Sequence, residues 1–141
     1  MNDSPALTRI NDLVVDLGRS LLQYACEAWP WTASKAAGEL RELVERVAAR
    51  QRESVRGLAE FLDATGEPVD FGVYPDEYTS LHYVAIDYLL DLIVQNEEAL
   101  VAECEEVQRE LAGDPLAAPL LEEVTGHERQ ILAELRSARS R

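Results

Sequence analysis

Three connections of unequal length decide most of what this chain can fold into. Four stretches carry apolar residues at the three-and-four spacing of an amphipathic helix, over about 5–28, 35–64, 79–111 and 116–138. About six residues separate the first two and about four the last two, the length at which neighbouring helices fold back on each other. The middle connection, 65–78, is far longer. A connection that only turns a corner needs no such length. One that runs beside a helix of roughly 24 residues must span about 36 Å, and roughly fourteen extended residues reach about 46 Å. Pro68 and Pro75 keep the stretch out of helix. Val69, Phe71 and Val73 alternate as in an extended strip laid on an apolar surface. The expected fold is all-α, one domain over 1–141: a four-helix bundle made of two antiparallel hairpins joined by a long crossover.

The ends of the stretches carry their own signals. Ser4-Pro5 opens the first, a capping residue followed by proline at the first helical position. Trp29-Pro30-Trp31 closes it. Gly66 suits the left-handed position after the second, and Gly113-Asp114-Pro115 divides the third from the fourth. The apolar faces read as Ile10, Leu13, Val14, Leu17, Leu21 and Tyr24 on the first, and Leu40, Leu43, Val44, Val47, Val55, Leu58, Phe61 and Leu62 on the second. On the third they are Val84, Tyr88, Leu92, Ala99 and Val107. On the fourth they are Leu120, Leu121, Val124, Ile131, Leu132 and Leu135. A faint internal repeat agrees with a doubled hairpin. Laid on the third stretch, the first pairs Asp16 with Asp87 and Leu21 with Leu92. Laid on the fourth, the second pairs Gln51 with Glu128 and Arg52 with Arg129.

Charge excludes some partners. The chain has 13 Lys+Arg against 27 Asp+Glu, a net charge of −14. Such a surface repels phosphate backbones and anionic membranes, so neither nucleic acid nor membrane is an expected partner. No apolar run reaches the roughly 18 residues of a membrane span, and the first residues lack the order of a signal peptide. Cys26 and Cys104 are too few for a disulfide scaffold and read as reduced thiols of a cytoplasmic protein. Glu103, Glu105 and Glu106 around Cys104 disfavour its thiolate.

Hairpin, crossover, hairpin resembles the plan of ferritin-like proteins over nearly the whole chain. The crossover Val69-Asp70-Phe71-Gly72-Val73-Tyr74-Pro75-Asp76-Glu77-Tyr78 and the stretch Leu81-His82-Tyr83-Val84-Ala85-Ile86-Asp87-Tyr88-Leu89-Leu90 are similar to a group of uncharacterised bacterial ferritin-like proteins. Di-iron members of that superfamily hold metal with a Glu from each of two helices and a Glu-x-x-His from each of the other two. The positions implied here are Gln51-x-x-Ser54 and Glu128-x-x-Ile131. Gln lacks the charge, Ser is a poor iron ligand and Ile replaces the His. Tyr24 and Gln95 fall near the other two carboxylate positions. The resemblance thus implies a degenerate metal site with no cofactor and no catalytic residue, and a relic polar cluster of Tyr24, Gln51, Gln95 and Glu128. A shifted register, using Glu123 and His127 with Glu27, Glu45, Glu53, Asp91 and Glu98, still leaves the second helix without a His. The only two in the chain are His82 and His127.

Other features have ordinary readings. His127 reads as a hydrogen-bonded residue at the edge of an apolar face, and His82 as a surface residue. Glu97, Glu98, Glu103, Glu105, Glu106 and Glu110 read as a solvated acidic face. Trp29, Trp31, Tyr74 and Tyr78 form a candidate aromatic surface, or a cap on one end of the bundle. Phe71 and Val73 are expected to lie buried on the helices, so truncating Phe71 is expected to cost about 3 kcal/mol. The resemblance implies a homodimer paired along the first two helices, helped by an apolar edge at Val44, Val55 and Leu62. The functional expectation is a metal-free structural or protein-interaction module, with an unknown protein partner. The alternative is a divergent di-iron or di-manganese carboxylate oxidase, or a rubrerythrin-like protein.

Overall fold

A computed structural model describes residues 5–28, 35–83 and 86–140. Among them are five α-helices and no strand: α1 (Pro5–Gly18), α2 (Leu21–Ala28), α3 (Lys35–Ala64), α4 (Ile86–Glu110) and α5 (Ala117–Arg139). A 3-10 segment, Asp76–Tyr83, precedes α4. None of these helices is long and apolar enough to cross a membrane. Trp29, Trp31 and Val84, and the His82 side chain, lie outside the described residues.

The first expected helix is two helices. Ser20 explains the break, because its hydroxyl accepts a bond from the Gln23 backbone N–H at 3.2 Å and so caps α2. The Asn96 side chain takes up the Leu21 N–H at 3.1 Å. The fourth stretch opens on Asp114, whose Oδ1 accepts from the N–H groups of Leu116 and Ala117 at 2.9 and 3.0 Å. At the end of α3 the chain turns through Gly66 at φ +84. There the Glu67 N–H reaches the Leu62 carbonyl and the Gly66 N–H that of Asp63, the paired bonds of a Schellman ending.

The third helix starts later than periodicity suggests. Asp76–Tyr83 winds as a 3-10 segment, with Thr79 and Ser80 hydroxyls bonded to the carbonyls of Asp76 and Glu77. Such local bonds favour a tight turn over a regular helix. The buried face of α4 is also different: Leu89, Leu90, Ile93, Val94, Leu100, Val101, Cys104 and Val107. Tyr88 is 53% exposed and Ala99 is exposed. Val107 is buried as expected, but Tyr88, Leu92 and Ala99 stand one position from the buried Leu89, Ile93 and Leu100, and one residue rotates a helical side chain by about 100°.

Paired positions show how the helices lie. Gly18 faces Val55, Ser20 faces Gln51 and Gln23 faces Ala48, so α3 runs back beside α1 and α2. Glu98 pairs with Arg136 at 2.6 Å and Glu105 with Arg129 at 2.6 Å, so α5 likewise runs back beside α4. Arg46 and Arg50 of α3 both hold Glu134 of α5.

The helices enclose two apolar clusters. One gathers Leu21, Leu22, Val44, Val47, Ile93, Val94, Ile131 and Leu135, among others. The other gathers Ile10, Leu13, Leu17, Leu58, Leu62, Val107, Leu121 and Val124. Val44, Val55 and Leu62, expected as an edge for pairing, are at most 9% exposed and belong to these clusters. They are spent inside the chain.

The connection from Glu67 to Pro75 runs along α1 and α2 by polar means. Asn11 bonds both backbone groups of Asp70 at 3.0 Å, and Arg19 Nε donates to the carbonyls of Phe71 and Gly72 at 3.2 and 3.1 Å. Gly72 sits at φ +68, and a Cβ there would come within 2.6 Å of Val15. That close approach lifts the neighbouring side chains off the helices. Phe71 is 48% and Val73 84% exposed, against the expectation that both are buried.

Candidate functional site

The two apolar clusters are separated by a layer of polar side chains. On α3 the order is Ala48, Gln51, Val55; on α5 it is Val124, Glu128, Ile131; on α4 it is Val94, Glu97, Leu100. Ser20 and Gln23 complete the layer from the break between α1 and α2 and from α2 itself. Each of these five is at most 2% exposed. Polar groups this deep need partners, since each one left unsatisfied costs about 1–3 kcal/mol.

Gln51 is the hub. Its Nε2 donates to Glu128 Oε1 at 2.8 Å and to Glu97 Oε1 at 3.1 Å. Its Oε1 accepts from Ser20 Oγ at 2.7 Å and from Gln23 Nε2 at 3.0 Å. Gln23 Nε2 also donates to the Ala48 carbonyl at 2.8 Å, and its Oε1 accepts from Arg52 Nη1 at 3.0 Å. The direction of this chain is fixed from its outer end. A guanidinium donates and never accepts, so Gln23 must turn its oxygen to Arg52 and its NH2 inward. Gln51 must then turn its oxygen to Gln23 and its NH2 to the two carboxyl groups.

Glu97 and Glu128 therefore share a site that receives N–H donors. Burial, then the hydrogen bond and the charge of Glu128, push the Glu97 carboxyl up to about 10, while the bond from Gln51 works the other way. Glu97 thus keeps its proton at neutral pH. Glu97 Oε2 and Glu128 Oε2 have no hydrogen-bond partner among the described residues, and a proton kept on Glu97 is what this pair has to offer them. Burial is also the main reason that the Cys104 thiol is pushed far up; Glu128 and Glu97 rank next, ahead of the neighbouring Glu103 and Glu105. Such a thiol is inert.

Two of the four residues assigned to the polar cluster lie elsewhere. Gln51 and Glu128 are its centre. Gln95 is exposed, and Glu97, two positions on, takes the buried place. Tyr24 is buried but belongs to an aromatic group, with its ring 5.2 Å from Tyr74 and 5.5 Å from Tyr78. Arg19 lies over the Tyr74 ring at 5.1 Å. Burial pushes the Tyr74 hydroxyl up to about 12, helped by nearby Glu27. Tyr74 and Tyr78 thus meet on α2; whether Trp29 and Trp31 join them lies outside the described residues. Ser20, Gln23 and Glu97 were missed by sequence reasoning. For Glu97 a signal exists, because Ile93, Val94, Glu97, Leu100, Val101 and Cys104 keep helical spacing.

The residues of the shifted register are dispersed. Glu45, Glu53 and Glu98 are in surface ion pairs with Arg41, Arg56 and Arg136. Glu27 and Glu123 are exposed. His127 Nδ1 lies 3.2 Å from Ser54 Oγ, at the edge of the buried layer. Among the described residues, no group of three or more His, Cys, Asp or Glu side chains is placed to hold a metal ion. A di-metal centre does not fit this donor set: Gln51 points hydrogens, not an oxygen, at the two carboxyl groups, and Ile131 stands where a ligand would be needed. The chain matches no family model, no curated protein and no solved structure.

Proposed function

We propose that this is a ferritin-like four-helix bundle, two antiparallel hairpins joined by the crossover, in which a hydrogen-bonded pair of carboxyl groups stands where di-iron ferritin-like proteins hold metal. Its role is that of a metal-free structural or protein-interaction module. One observation carries the reading: the chain from Arg52 through Gln23 to Gln51 aims N–H donors at Glu97 and Glu128. A proton on Glu97 halves the charge of the pair and the N–H donors solvate what remains, which in a di-iron protein is the task of the cation. The homodimer rests on the resemblance alone, because the apolar edge that favoured it is buried inside the chain.

The test is elemental analysis of protein purified without chelators and then dialysed against ferrous or manganous ion. Substoichiometric metal is expected. Gln51→Glu, which adds a third carboxyl group and removes the donor, is expected to gain divalent-ion affinity and to be stabilised by added metal. Stoichiometric metal in the wild-type protein, lost in Glu128→Ala, would overturn the reading in favour of a carboxylate oxidase.

A further inference from the structure

The outer end of the polar chain opens into a groove of about 700 Å³ between α1, α2, α3 and the crossover. That volume falls within the roughly 300–1,000 Å³ of sites for small molecules. Its walls are unevenly charged. Arg19, Arg52 and Arg56 lie toward one end, Glu60 and Asp63 toward the other, and Val55, Ala59, Val69 and Phe71 lie between. On α3 the charged positions run in order from Arg52 to Asp63, roughly 16 Å at the helical rise.

Two of these cations stand out. In a chain of net charge −14, most of the arginines that line the helices hold a carboxylate within 4 Å. Among the described residues Arg19, Arg52, Arg109 and Arg139 hold none, and of these four Arg19 and Arg52 line the groove. Arg52 spends Nη1 on Gln23 and is otherwise exposed; Arg19 spends Nε on crossover carbonyls. Glu27 shares their end of the groove and pairs with neither. Both guanidinium groups are held in place by the fold with donors to spare. Beside them Phe71 lines the groove and is 48% exposed, an apolar residue left where a ligand would cover it.

From this charge pattern we infer that the groove binds a small amphipathic monocarboxylate, its head on Arg52 and Arg19 and its apolar body over Val55, Ala59 and Phe71. Glu60 and Asp63 make the site selective, because a second carboxylate at the far end of the ligand would meet like charge. The inference is independent of the metal question, and each has its own readout.

Isothermal titration with decanoate, decanol and decanedioate tests it. Decanoate is expected to bind one per chain, with a negative heat-capacity change from apolar burial, and at least about tenfold more tightly than either of the others. Arg52→Gln is expected to weaken decanoate about tenfold while leaving decanol unchanged. Ala59→Phe, which fills the groove, is expected to abolish binding of all three, with unchanged helical circular dichroism showing that the fold survives. Equal affinity for decanol and decanoate would overturn the proposal, as would decanoate binding that survives Ala59→Phe. So would a groove closed to every probe in a protein whose light-scattering mass is twice that of the chain, since a second copy would then be its occupant.

Discussion

The middle of the molecule and its crossover invert the usual distribution of residues. At the centre, Ser20, Gln23, Gln51, Glu97 and Glu128 are buried and answer one another's hydrogen bonds. On the crossover, Phe71 and Val73 face outward, and the backbone is tied down by Asn11 and Arg19. The difference separates two ways of fixing a chain. Apolar contact places the helices, but directed bonds place the two segments whose residues do not follow the apolar pattern. The first kind of bond is worth much because it is dry; the second is worth less because water competes for it.

The largest effect is expected at the hub. Gln51→Leu keeps the volume but leaves Glu97, Glu128, Ser20 and Gln23 short of partners. A loss of about 4 kcal/mol is expected in urea unfolding, as for breaking a buried network from one side. A loss below about 1 kcal/mol would mean that the layer is wet. The crossover's counterpart is Gly72→Ala. The left-handed backbone costs a non-glycine residue about 1–2 kcal/mol, and the Cβ contact with Val15 adds to it. About 3 kcal/mol is expected in total. Retention of full stability would show that the crossover is free to move off α1.

Carboxyl groups raised by burial and those lowered by an arginine differ in the sign of their pH dependence. Glu97 has its folded pKa raised from 4.5 to about 10. Between those values the folded chain holds one more proton than the unfolded chain, so its contribution to stability falls as pH rises. The slope is at most about 1.4 kcal/mol per pH unit. Glu103, raised to about 8 chiefly by burial and then by Asp16, adds in the same direction over a narrower window. Glu134, lowered chiefly by its bond from Arg50, acts oppositely and only in acid. Glu97→Gln mimics the protonated side chain and removes the largest of these terms. Its urea midpoint is expected to exceed that of the wild type at pH 8.5, with the difference shrinking toward pH 5. A constant difference across that range would mean that Glu97 does not hold an extra proton.

How much of this was legible follows from which bond does the placing. The helices α3 and α5 were readable within a residue or two, because Leu43, Val47, Leu58, Leu121 and Leu135 keep the period and Gly66 and Asp114 mark the ends. Gln51 and Glu128 were readable because they interrupt an apolar stripe. Glu97 was harder to read: it keeps the helical spacing of Ile93, Val94, Leu100 and Cys104, but it opens a run of acids of which Glu106 and Glu110 are exposed, and α4 has apolar residues on more than one side. The break at Ser20 was unreadable as a break: its cause is a capping bond together with a partner on α3, and only the fold brings Gln51 to it.

The smallest effect is expected where the sequence suggested a large one. Alternation of Val69, Phe71 and Val73 looks like a strip with one buried side, and a buried Phe truncated to Ala costs about 3–5 kcal/mol. The alternation is real, but Gly72 closes the gap to Val15, and the residues on both sides of it turn outward. With 48% of its surface already in water, Phe71 has about half of its transfer free energy to lose and leaves no enclosed cavity behind. Phe71→Ala is therefore expected to cost about 1 kcal/mol or less in urea unfolding. The same substitution should weaken decanoate in the groove several-fold, because the apolar face lost to the ligand is the one not used by the fold. A stability loss near 3 kcal/mol with unchanged ligand affinity would put Phe71 back against the helices and return the crossover to the buried strip that its pattern suggests.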